Sequence, residues 1–125
     1  MTNILPPEKP FRVDVDITSQ PAIFTYFNRN GAICNGNVDV TEKNTCVSYS
    51  LINNTNQLIF AAPVVDEAED PTDLTFIISR DQQTLSIYDN DLTNQNVSFR
   101  LVVVQSSKLT TPYISTDPVI RSIPS

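Results

Sequence analysis

The sequence predicts an all-β protein, an immunoglobulin-like antiparallel β-sandwich of about seven strands, with a small β-barrel as the alternative closure of the same strands. Three observations predict it. Short segments alternate apolar and polar residues with a period of two, the pattern of a strand with one buried face. Clusters of Asn, Asp, Ser and Pro separate those segments. No stretch of about ten residues carries the apolar stripe of a helix. The chain has no Trp, so the Cys-Trp-Cys signature of antibody domains is missing and the reading rests on pattern alone.

Each element follows from the chain in order. Residues 1–10 hold Pro6, Pro7 and Pro10 without periodicity and are expected to form an extended arm. From Phe11 to Thr18 the alternation is regular, with Phe11, Val13, Val15 and Ile17 on one face and Arg12, Asp14, Asp16 and Thr18 on the other. Ser19-Gln20-Pro21 breaks that strand, and Ala22 to Phe27 resumes with aromatic residues. Asn28-Arg29-Asn30-Gly31 is a turn, because Asn and Gly tolerate the positive φ that tight turns require.

Ala32 to Thr41 reads as a short edge strand around Gly36, and both glycines of the chain lie in or beside it. Asn44 to Ile52 is a strand with Thr45, Val47, Tyr49 and Leu51 on one face and Cys46, Ser48 and Ser50 on the other. After the Asn53-Asn54-Thr55-Asn56 turn, Gln57 to Ala62 is apolar on both faces and is expected to end at Pro63. An acidic loop over 66–71 leads to a strand from Asp73 to Ser79, with Leu74, Phe76 and Ile78 on one side.

Thr84 to Tyr88 and Val97 to Gln105 are expected to form a central hairpin across the Asp/Asn-rich turn at 89–96. Pro112, Pro118 and Pro124 exclude a helix from 106–125 and assign that segment to a second extended arm. One domain spanning 1–125 is expected, since a chain of 125 residues buries a core without staples.

The paired segments Ile87-Tyr88-Asp89-Asn90 and Phe99-Arg100-Leu101-Val102-Val103, with a late Asp117-Pro118, make the whole chain similar to the DP-EP family of small bacterial proteins. The resemblance implies a stand-alone β-sandwich and brings no catalytic residues to carry over.

Composition narrows the function. Fourteen acidic against 8 basic residues give a formal charge of −6, which repels a phosphate backbone and argues against nucleic acid. No segment approaches the ~18 apolar residues of a membrane helix, and the first ten residues lack the basic and apolar blocks of a signal peptide. A cytoplasmic protein without membrane contact is therefore expected. In a reducing compartment Cys34 and Cys46 are expected as free thiols, able to bond only if their strands lie side by side.

The chemistry available is thin. Without histidine there is no Ser-His or Cys-His pair and no imidazole ligand. Asp14 and Asp16 are the carboxylate pair a glycoside hydrolase would need, but their alternation with Val13 and Val15 makes them the wet face of a strand, and no enzyme is expected. Asp89, Asp91 and Asn94 bunch oxygen ligands on a turn, as Ca²⁺ requires, without the spacing of an EF-hand, and the turn 89–96 is also the carbohydrate-binding alternative; Tyr26, Tyr88 and Tyr113 offer rings that stack on sugars but are better explained as strand residues with a polar tip. Five carboxylates crowd the loop from Asp66 to Asp73 and read as a solvated charge run.

No cofactor is expected beyond that Ca²⁺ alternative. The leading expectation is a protein-association module. Ile59, Ala61, Ile77, Val102 and Val104 lie opposite the apolar faces of their own strands. A two-layer core buries only one side of each sheet, so those residues are expected to meet a loop, the C-terminal arm or a second copy of the chain.

Overall fold

A computed structural model describes residues 8–41, 44–67, 74–89, 95–116 and 119–122, with the backbone alone at 66–67, 74, 89, 95–98 and 119–122. Strands run through them in the order β1 (Glu8–Asp16), β2 (Ile23–Phe27), β3 (Ile33–Cys34), β4 (Val38–Val40), β5 (Thr45–Leu51), β6 (Leu58–Glu67), β7 (Leu74–Ile78), β8 (Thr84–Asp89), β9 (Gln95–Gln105), β10 (Lys108–Ile114) and β11 (Val119–Ser122). The first sheet has the order β3-β2-β1-β5-β8-β7. The second has the order β10-β9-β11-β4, with β6 also paired to β9. Neither sheet closes on itself, so the fold is a β-sandwich and not a barrel.

Strand existence and sidedness follow the alternation, but pairing does not. The Thr84 to Gln105 segment is not a hairpin: β8 lies between β5 and β7 in the first sheet, while β9 is the central strand of the second. Both edges of β8 are occupied, with Val47 opposite Ile87 on one side and Phe76 opposite Ile87 on the other. The period of two fixes which face a residue takes and says nothing about which strand lies beside it.

Two pairs are parallel, which an all-antiparallel sandwich does not contain. Glu8 to Val13 of β1 run alongside Cys46 to Leu51 of β5, and Ile120 to Ser122 of β11 run alongside Val38 to Val40 of β4. Part of each expected arm is thereby sheet. Residues 8–10 belong to β1, and the segment 106–125 supplies β10 and β11. Pro112 is accommodated because β10 is an edge strand, and β11 needs only the four residues after Pro118. Pro63 likewise does not end its strand. It sits in a register shift between Ala61 and Val64, on a strand that among the described residues pairs with β9 alone.

The interior is built where the inward faces meet. Val13, Val15, Tyr26, Val47, Tyr49, Leu85 and Ile87 come from the first sheet, and Val38, Val40, Leu58, Phe60, Phe99, Leu101 and Val103 from the second. Tyr49 is its hub. Its ring stacks on Phe11 at 5.3 Å between centroids and meets the edges of Tyr26 at 5.9 Å and Phe99 at 5.8 Å, so one side chain ties the two layers together. Such pairs contribute ~0.5–1.5 kcal/mol each beyond burial.

Polar contacts lock one end of the sandwich. Leu58 N–H donates to Asn54 Oδ1 at 2.7 Å, and Asn54 Nδ2 donates to the Leu58 carbonyl and to Gln83 Oε1, each at 2.7 Å. Gln83 Nε2 donates to the same carbonyl at 2.9 Å, and Phe60 N–H donates to the Gln82 carbonyl at 2.9 Å. The start of β6 is thus pinned to the turn between β7 and β8, one sheet to the other.

Candidate interaction surface

The residues expected to lie opposite the core separate into two places. Antiparallel register sets Ile59 beside Val104 and Ala61 beside Val102, so four of the five share one face of the second sheet. That face is the outer one, because Phe60, Leu101 and Val103 point into the core from the same strands. Ile77 is elsewhere. It lies opposite Ser86 on the outer side of the first sheet and is 59% exposed.

The structure adds residues from the segment expected as the C-terminal arm. Pro112 pairs with Val104 and Ile114 with Val102, extending the apolar rows from β6 across β9 to β10. The readable signal is the Ser106-Ser107 turn after β9; Pro112, Tyr113 and Ile114 follow one another without alternation, and only the structure sets Tyr113 inward and Pro112 and Ile114 outward. The described strands of the C-terminal arm, β10 and β11, therefore do not roof this face; both lie beside β9 within the same layer. Exposure is graded across it. Val102 and Val104 in the middle keep only 7% each, Ile59 and Ala61 are half-buried, Pro112 is exposed and Ile114 is 43% exposed. Val64, on the same side beside Arg100, is 42% exposed.

The central valines are flanked by their neighbours on β6 and β10, and among the described residues no third layer lies over them. The result is a shallow apolar surface with open flanks, crossed at one end by Arg100. Groups of this kind hold a partner by burial and not by directed chemistry.

The other candidates behave differently. The Asp91 and Asn94 of the expected Ca²⁺ turn lie outside the described residues, as does the Asp89 side chain, and so does most of the acidic loop from Asp66 to Asp73. Among the described residues no cluster of three or more His, Cys, Asp and Glu is placed to hold a metal. Asp14 and Asp16 sit on the outer face of β1. Asp16 accepts hydrogen bonds from the Thr18 N–H at 2.9 Å, the Thr18 hydroxyl and the Ser19 hydroxyl, and the Thr18 bonds chiefly hold its carboxyl below the usual range. This carboxylate closes a turn.

Tyr26 is not a stacking surface, being 2% exposed in the core, and Tyr113 packs on that core from β10. Tyr88 faces Cys46 across the first sheet, where the Cys46 side chain, by hydrogen bond and by charge, raises the phenol above its ordinary value. Both cysteines are free. Cys34 on β3 packs against the core while Cys46 on β5 faces outward, with β2 and β1 between them. At about 4.8 Å per strand spacing they are well beyond the reach of a disulfide.

No helix of the described residues is long and apolar enough to cross a membrane. No curated protein matches the chain. The DP-EP family model matches residues 8–124, and the chain belongs to the DP-EP family.

Proposed function

We propose that this DP-EP member is a non-enzymatic module that works by protein association, with a second copy of the chain seated on the outer face of the second sheet. The observation that carries the reading is the register that aligns Ile59 with Val104 and Pro112, and Ala61 with Val102 and Ile114. These rows continue over three strands on the solvent side of the sandwich, whereas the outer face of the first sheet carries Ser48, Ser50, Thr84 and Ser86 at the corresponding central positions. At its central positions one outer face is thus polar and the other apolar.

Sedimentation of the native chain over rising concentration tests this against Ala61→Arg and Ile114→Arg, whose positions are open enough to accept the new side chain. The native protein is expected to gain mass as concentration rises, while both variants gain less at any given concentration and melt unchanged. A native mass of one chain at the highest soluble concentration overturns the proposal.

A further inference from the structure

We infer that β7 is a strand-addition edge whose occupant is β7 of a second copy, joining two first sheets into one continuous sheet. This surface is separate from the outer face of the second sheet, and the inference does not rest on the association proposed there.

Sheet edges expose backbone donors and acceptors, and soluble proteins blunt them with shortness, proline, charge or bulges. Among the described residues the other edges are blunted. β3 has 2 residues and β4 has 3, with Asp39 in the middle. β10 carries Pro112 and a register shift between Lys108 and Pro112, and β6 carries Pro63 with shifts on both sides of Val64-Val65. β7 has none of these. It is Leu74-Thr75-Phe76-Ile77-Ile78, without charge or proline, in unbroken register with β8 from Leu74 opposite Asp89 to Ile78 opposite Leu85. Phe76 is 46% exposed on its core-side face and Ile77 59% exposed on its outer face.

The hydrogen-bond phase determines which backbone groups face outward. Ser79 N–H donates to the Thr84 carbonyl at 2.9 Å, and on the far side of β8 Leu51 N–H donates to the Gln83 carbonyl at 2.9 Å. Even-numbered residues of β8 therefore bond to β7 and odd-numbered ones to β5. On β7 it follows that Thr75 and Ile77 point their N–H and C=O at β8. Leu74, Phe76 and Ile78 point theirs to the side where, among the described residues, the first sheet has no further strand.

That phase is self-complementary. A two-fold antiparallel pairing centred on Phe76 sets Phe76 opposite Phe76 of the second copy and Leu74 opposite Ile78, all three in bonded positions, for about six backbone hydrogen bonds. Thr75 then faces Ile77, a pair of β-branched residues, and the two Phe76 rings cover one another. No charge on either strand opposes the approach.

The test is amide exchange of the full chain at low and high concentration, with Phe76→Pro and Ile77→Lys as variants. Phe76→Pro deletes an outward N–H and no β7–β8 bond, so the fold tolerates it. The amides of Phe76 and Ile78 are expected to exchange at least tenfold more slowly at high concentration, while those of Thr75 and Ile77 stay constant. Both variants are expected to abolish the concentration dependence while still melting cooperatively as folded chains. Exchange at Phe76 and Ile78 that ignores concentration, or a dependence that survives Phe76→Pro, overturns the inference. Association lost in Ala61→Arg but kept in Phe76→Pro rejects the edge and leaves the proposed function standing.

Discussion

The Tyr49 hydroxyl donates to the Gly36 carbonyl at 2.9 Å in the buried interior. The bond ties the loop between β3 and β4 to the aromatic hub, and it satisfies two polar groups that water does not reach easily. Tyr49→Phe leaves the carbonyl without this donor and is expected to cost about 1–3 kcal/mol. A urea titration reads this as a lower midpoint at unchanged slope.

Gly36 is required twice over. Its φ is +76°, and a Cβ built there falls 2.9 Å from the Tyr26 ring. Gly31 has φ +81°, but its nearest neighbour is the end of the Arg12 side chain at 3.6 Å. Gly36→Ala is therefore expected to destabilise by about 2–4 kcal/mol, conformational strain plus overpacking, and Gly31→Ala by about 1 kcal/mol of strain alone. Parallel thermal melts rank them.

The Asn54 and Gln83 side chains share the Leu58 carbonyl as acceptor and bond each other at 2.7 Å. Each alanine variant is expected to lose about 1–3 kcal/mol, and the double variant less than the sum, with a coupling of about 1 kcal/mol. Additive losses in a double-mutant cycle count against a network that pins one sheet to the other.

Asp16 and Asp81 are both held below the usual carboxylate range, Asp16 chiefly by the Thr18 hydroxyl and Asp81 chiefly by the Ser79 hydroxyl. A depressed folded-state pKa adds stability that is complete above the unfolded value, near pH 4, and is lost as pH falls through the lower folded value. The acid limb of the stability curve is expected to flatten in the Asp16→Asn/Asp81→Asn variant. NMR titration is expected to show the Asp16 midpoint rising in Thr18→Ala.

Both thiols are expected to react with a thiol reagent in the non-reduced protein, Cys46 faster than Cys34. Cys34 packs against the core, whereas Cys46 lies on the outer side of β5. A count of zero thiols contradicts the strand order that separates them.

What the sequence discloses is sidedness. Thr45, Val47 and Tyr49 are buried and Cys46, Ser48 and Ser50 half-buried, as their alternation requires. Partners were not legible, because a strand is defined by neighbours that lie far along the chain. Thus Thr84 to Gln105 resembled a hairpin, although its halves belong to different sheets. The parallel pairing of Glu8 with Cys46 has no local signature at all. Proline misleads for a related reason: it breaks central strands, whereas Pro63 and Pro112 lie within edge strands that run through them. Of the interaction surface, Ile59, Ala61, Val102 and Val104 were readable as outward apolar residues. Pro112 and Ile114 became part of it only once β10 was seen beside β9.

The most direct test of the association surface is carbene footprinting of the native chain at low and high concentration. Ile59, Ala61, Pro112 and Ile114 are expected to lose label as concentration rises, while Ile23 and Ile33, 52% and 73% exposed on the first sheet, keep theirs. Labelling of the four that stays constant over that range contradicts the account.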